Sequence, residues 1–127
     1  MHENEIGTIV VDSAIRVHRA LGPGLMESVY QTVLTWELKK RGLQTQSEVM
    51  VPIVYRGVTF DQGFRADIIV NDKVVLELKS VENVTAAHKK QILTYLRLTG
   101  KKLGYLLNFG EALMKEGITR SVNGLEE

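Results

Sequence analysis

FRADIIVNDKVVLELKS, residues Phe64–Ser80, decides the reading of this 127-residue chain. An apolar run carrying one aspartate, Asp67, ends at the polar pair Asn71-Asp72. A second apolar run follows, with Glu77 and Lys79 embedded in it. Two such runs joined by Asn-Asp predict a β-hairpin. Side chains alternate along a strand, so Glu77 and Lys79 share one face with Val75, and Leu76 and Leu78 share the other. The hairpin can bring Asp67 close to Glu77, in a register that the sequence leaves open. Ionised groups are costly in strands this apolar unless they have partners or work to do.

The flanks extend the hairpin on both sides. Val49, Val51, Ile53 and Tyr55 alternate with other residues, which predicts a strand from Thr45. Pro52 lacks an N–H, so that strand should lie at an edge or carry an irregularity there. Arg56-Gly57 makes a turn into a strand from about Thr59 to Val70, with an interruption expected near Gly63. Strands two and three then form an antiparallel meander with the first. Upstream, Ile6, Val10, Val17 and Leu21 share a helical stripe with Ala14 beside it, predicting a helix over Thr8–Leu21. Gly22-Pro23-Gly24 breaks that pattern. A second helix runs from Leu25 to Arg41 and stops at Gly42. Downstream, Thr85–Thr99 is helical with Ile92, Leu93 and Leu96 toward the core, and Leu103–Phe109 is a buried strand. ITRSV near the end is a weaker edge-strand candidate. Residues 1–127 therefore form one domain of mixed α+β (α/β) class.

Composition narrows the chemistry. The chain has no cysteine, which excludes disulfides, thiolate zinc sites and iron–sulfur clusters and agrees with a cytoplasmic location. His2, His18 and His88 lack zinc-ligand spacing, and neither a phosphate-binding glycine loop nor a nucleophile elbow is present. No basic leader precedes an apolar core, and no apolar run approaches membrane-spanning length. The net charge is only +1. Its distribution is uneven: Asn83–Gly110 contains no acidic residue but holds Lys89, Lys90, Arg97, Lys101 and Lys102. Such a stripe attracts phosphates, or is simply a solvated helix face.

Asp67 and Glu77, if adjacent, raise each other's pKa unless a cation intervenes. Mg²⁺ takes oxygen ligands of this kind and keeps several waters. Lys79 would reach the rim of such a site; the alternative is a plain surface ion pair. Glu27 shares a helical strip with Leu34 and Leu38, which makes it a buried functional group or an anion at a helix start. Gln91 and Tyr95, four apart on the third helix, project from one face, with His88 nearby. They can bind phosphate or stand at a half-buried boundary.

Together these positions resemble the PD-(D/E)XK nuclease superfamily, whose pattern is an aspartate on one strand and Glu-x-Lys on the next. Asp67, Glu77 and Lys79 match it, with Ala66 in place of the proline that often precedes the aspartate. Gln91-Ile-Leu-Thr-Tyr95 looks like the Gln-x-x-x-Tyr motif of RecB-type branches. Gly24-Leu-Met-Glu27-Ser-Val-Tyr30 is similar to the signature of the small GxxExxY proteins within that superfamily. The resemblance implies a restriction-endonuclease-like core of helix, three-stranded antiparallel meander, helix and strand, with an extra N-terminal helix. It implies Mg²⁺ (or Mn²⁺) held by Asp67, Glu77 and the Leu78 main-chain carbonyl, with Glu27 as a further candidate. Lys79 would handle the attacking water, Gln91 and Tyr95 would orient phosphate, and Lys89, Lys90, Arg97 and Lys101 would hold the DNA backbone. The expected partners are DNA and either a second copy or a larger protein, with no membrane. A catalytically silent module that keeps the fold and binds nucleic acid or a protein is the alternative.

Overall fold

The computed structural model describes residues 1–127. Two helices come first, α1 (Glu3–Leu21) and α2 (Glu27–Lys40). Strands β1 (Thr45–Tyr55), β2 (Val58–Val70) and β3 (Val74–Lys79) follow, then helix α3 (Ala86–Thr99) and strand β4 (Leu103–Asn108). A 3-10 turn at Met114–Gly117 leads to β5 (Ile118–Val122). The five strands form one sheet in chain order. Only β3 and β4 are parallel, joined by the α3 crossover, and the other pairs are antiparallel. This is the mixed architecture expected of a restriction-endonuclease-like core, and ITRSV does close its far edge. No helix is long and apolar enough to cross a membrane.

The sheet separates two apolar layers. Against one face, Ile6, Val10, Ala14 and Val17 of α1 and Tyr30, Leu34 and Leu38 of α2 pack on Leu76, Leu78 and Leu107. Against the other, Ile92 and Leu96 of α3 pack on Ala66, Ile69 and Val75. Leu21 stays exposed at the end of its stripe. Helix α1 begins at Glu3, five residues before the expected start at Thr8. His2 caps it: the Asn4 N–H donates to His2 Nδ1, and the His2 N–H donates to Glu5 Oε1. Histidine is not a usual N-cap, so the sequence carries little sign of it.

The expected trouble at Pro52 and Gly63 is one feature. Val51 pairs with Phe64 but Ile53 pairs with Phe60, so β2 carries two extra residues where β1 has Pro52. A Cβ on Gly63 would collide with the Val51 carbonyl oxygen, so only glycine fits the close approach.

A second irregularity lies at Asp67. Phe64, Ala66 and Ile69 pack on the α3 side, whereas Ile68 and Val70 pack on the α1/α2 side. A regular strand would put residues 64, 66, 68 and 70 on one face. The alternation slips by one residue at Asp67. The pairs Ser47–Ile68 and Val49–Ala66 leave Glu48 opposite it, and Glu48 has a left-handed φ of 53°. Both strands change face at one rung, and that rung carries the aspartate.

Candidate active site

The regular β2–β3 pairing runs from Val70–Val74 to Ile68–Leu76. At the next rung the side chains take over from the ladder. The Asp67 N–H donates to Glu77 Oε1 at 3.2 Å, and the Leu78 N–H donates to Asp67 Oδ2 at 2.8 Å. The Asp67 carbonyl accepts from Gln31 Nε2 of α2 at 3.2 Å. Asp67 thus sits where the strands part, its backbone groups met by side chains from β3 and α2. The slip in alternation turns it along the sheet toward β3 instead of up or down.

Electrostatics follow from this packing. Glu77 is only 6% exposed. Burial, then the neighbouring Asp67 carboxylate, push its pKa up to about 8, while Lys79 pulls it back in part. Lys79 is half-buried at the C-terminal end of β3, on the face of Glu77, and forms no ion pair within 4.0 Å. Tyr95 of α3 lies flat on Phe64 of β2, ring centroids 3.7 Å apart and 5° from parallel. Burial, then the charges of Glu77 and Asp67, raise the Tyr95 pKa, so its phenol stays protonated beside the pair.

The loop between α1 and α2 closes over the same end of the sheet. The Tyr30 hydroxyl donates to the Gly22 carbonyl and accepts from the Leu25 N–H at 3.2 Å. Its ring stacks on Phe109 at 4.5 Å. The Ser80 hydroxyl, one residue past β3, donates to the Leu25 carbonyl at 2.6 Å. Tyr30 is therefore the buried post that holds the loop, and Glu27 stands just after it. Glu27 is exposed, in a shallow depression with Gly24, Met26 and Ser80. Its strip does continue that of Leu34 and Leu38, but it lies one turn beyond the end of the core. No third His, Cys, Asp or Glu joins Asp67 and Glu77 in a ligand cluster.

Gln91 is exposed on α3, one turn before Tyr95. Lys89, Lys90 and Arg97 are exposed as well. The basic strip, however, does not adjoin the Gln91–Tyr95 face. Helical residues advance by about 100° each, so Arg97, with Lys90 seven before it, points roughly 200° away from Tyr95. Lys101 is also withdrawn: its Nζ binds the Asp72 carboxylate at 3.1 Å and the Asp72 carbonyl at 3.0 Å. That contact is at the turn end of the β2–β3 hairpin, opposite Lys79. His88 is half of a capping box with Thr85 at the start of α3, and His18 is bonded to the Glu111 carbonyl.

The donor chemistry suits a divalent ion. One oxygen of each carboxylate is bound by a backbone N–H, and the two side chains lie close enough for a protonated Glu77 to hydrogen-bond Asp67. Two like charges this close, one of them buried, are relieved by a hard cation that takes oxygen ligands. Leu78, whose carbonyl was the third expected ligand, is buried between them and Lys79 in sequence.

Gln31 is the residue that sequence reasoning passed over. It lies four residues after Glu27, on the same helical face, which was the available signal. Phe64, the platform under Tyr95, was also missed. A model of the PD-(D/E)XK nuclease superfamily matches residues 4–121. Comparisons with curated proteins and with solved structures gave no match.

Proposed function

Because the chain belongs to the PD-(D/E)XK nuclease superfamily, we propose that it is a metal-dependent nuclease hydrolysing DNA phosphodiester bonds, of the GxxExxY type. The carrying observation is the rung where Asp67 and Glu77 bridge the parted strands, with unpaired Lys79 beside them. Asp67, Glu77 and the Leu78 carbonyl would hold Mg²⁺ (or Mn²⁺). A divalent ion there supplies Lewis-acid polarisation of the phosphate and a more acidic water. Lys79 orients the attacking water and offers positive charge to the phosphate as it gains negative charge. The neutral Tyr95 phenol and the Gln91 amide donate hydrogen bonds to phosphate oxygens. Glu27, free at the start of α2, reaches the site through water. Lys89, Lys90 and Arg97 hold the more distant backbone without reading sequence. A second copy or a larger protein would complete the surface that a duplex needs.

The pair without a third acidic ligand also supports a silent module that binds nucleic acid without cutting it. Single- and double-stranded DNA incubated with Mg²⁺ or Mn²⁺ separates the readings. Wild type should cut, and Lys79→Ala and Asp67→Ala should lose about 10²-fold or more. Equal cleavage by all three would trace the activity to a contaminant and end the proposal. Binding without turnover under every metal would establish the silent module.

A further inference from the structure

Beside the site, the outer face of α2 and the start of β1 enclose a groove whose walls are almost entirely polar. Gln31 forms its inner end and reaches the Asp67 carbonyl from there. Ser28, Thr32, Thr35 and Lys39 recur at helical spacing along the floor. Lys39 forms no ion pair. Trp36 is the one hydrophobic residue of the lining and is 60% exposed, with the Lys40 ammonium over one side of its ring at 5.3 Å from the centroid. Glu48, on the β1 wall, is its one acidic residue.

We propose that this groove carries a single polynucleotide strand to or from the Asp67–Glu77 rung, its backbone along Ser28 and Lys39 and a base stacked on Trp36. The inference rests on the nuclease reading. Thr35 Oγ1 is buried and Thr32 Oγ1 donates to the Ser28 carbonyl, so the Ser28 hydroxyl and the Lys39 ammonium are the phosphate-binding groups of the helix wall, whereas an exposed indole is a platform for an unpaired base. Glu48 repels phosphate from the opposite wall and so keeps the backbone on the helix side. From Ser28 to Lys39 the helix rises about 16 Å, which spans roughly five stacked nucleotides. A duplex would hide its bases from Trp36.

Trp36 is the only tryptophan in the chain, so all tryptophan fluorescence comes from this one side chain. The full chain is titrated in EDTA, where nothing is cut, with oligothymidylate, oligouridylate and a blunt DNA duplex. Binding is followed in parallel by the anisotropy of labelled strands. The expected result is saturable, salt-sensitive quenching by single strands and little by the duplex. The thymidylate and uridylate arms tell DNA from RNA. Trp36→Leu and Lys39→Ala should each weaken single-strand binding about five-fold or more. Binding seen by anisotropy with unquenched Trp36, equal quenching by the duplex, or unchanged affinity in both variants overturns the groove. No binding at all overturns it too. A chain that cuts while Trp36 stays silent loses the groove and keeps the nuclease. Quenching in a chain that never cuts keeps the groove and loses the nuclease.

Discussion

Asp67 and Glu77 exchange hydrogen bonds across a break in the sheet: the Asp67 N–H binds the Glu77 carboxylate, and the N–H next to Glu77 binds the Asp67 carboxylate. Each acid is held by its partner's strand, and burial with the Asp67 charge keeps Glu77 protonated at neutral pH when no cation is bound. The charge problem is built into the backbone geometry.

Glu77 makes that problem titratable. Its folded pKa of about 8 lies above the ordinary value of 4.5. The protonated form therefore contributes stability that is fully present below about pH 4.5 and is lost as the pH climbs through about 8. Each unit in that window removes up to ~1.4 kcal/mol. Thermal melts of the metal-free protein should fall from pH 5 to pH 8, and Mg²⁺ should restore most of the loss at the alkaline end. Glu77→Gln should flatten the profile and abolish the Mg²⁺ response. A wild-type profile as flat as that of the variant would contradict the buried-acid reading.

Asp67 separates structure from chemistry. Asp67→Asn keeps an oxygen for the Leu78 N–H and should unfold near the wild-type denaturant midpoint, with metal affinity lost. Asp67→Ala leaves that N–H without its partner and should cost about 1–3 kcal/mol in urea unfolding. Equal stabilities would mean that the 2.8 Å bond contributes little.

Gln31 holds the Asp67 carbonyl and so acts through Asp67 as a positioning residue. Gln31→Ala should cost about 0.5–1.5 kcal/mol, and cleavage should drop in kcat more than in KM. Gln31→Glu removes the donor at nearly the same shape and should behave like Ala; wild-type turnover in Gln31→Glu would remove Gln31 from this role.

Tyr30 is the conserved-shape test of the loop. Tyr30→Phe keeps the stack on Phe109 and removes the hydroxyl that binds Gly22 and Leu25. A cost of about 1–3 kcal/mol is expected, with faster hydrogen exchange confined to residues 22–27. Unchanged exchange there would show that Ser80 holds the loop alone.

These positions differ in how far the sequence exposed them. The β2–β3 hairpin was legible because Asn71-Asp72 interrupts two apolar runs, and the Pro52 irregularity because proline cannot pair. The slip at Asp67 was not. Ala66 and Ile68 are both apolar and both buried, so a period-two pattern cannot tell which layer each enters. Glu27 was read from an apolar strip, and nothing in the strip marks where the core under it ends. Gln31 was a lone amide whose one signal was its place a turn after Glu27. The basic run around α3 was legible as composition, but its direction depended on counting the helix from Tyr95 and on an Asp72 contact that no spacing predicts.

The shared face change at Glu48 and Asp67 carries a trade-off. A left-handed glutamate and an interrupted ladder each cost stability that a plain sheet would keep. A variant selected for heat resistance alone should mend that rung first, and mending it would turn Asp67 back into an ordinary strand residue. The fold would be sturdier and the acid pair would be gone.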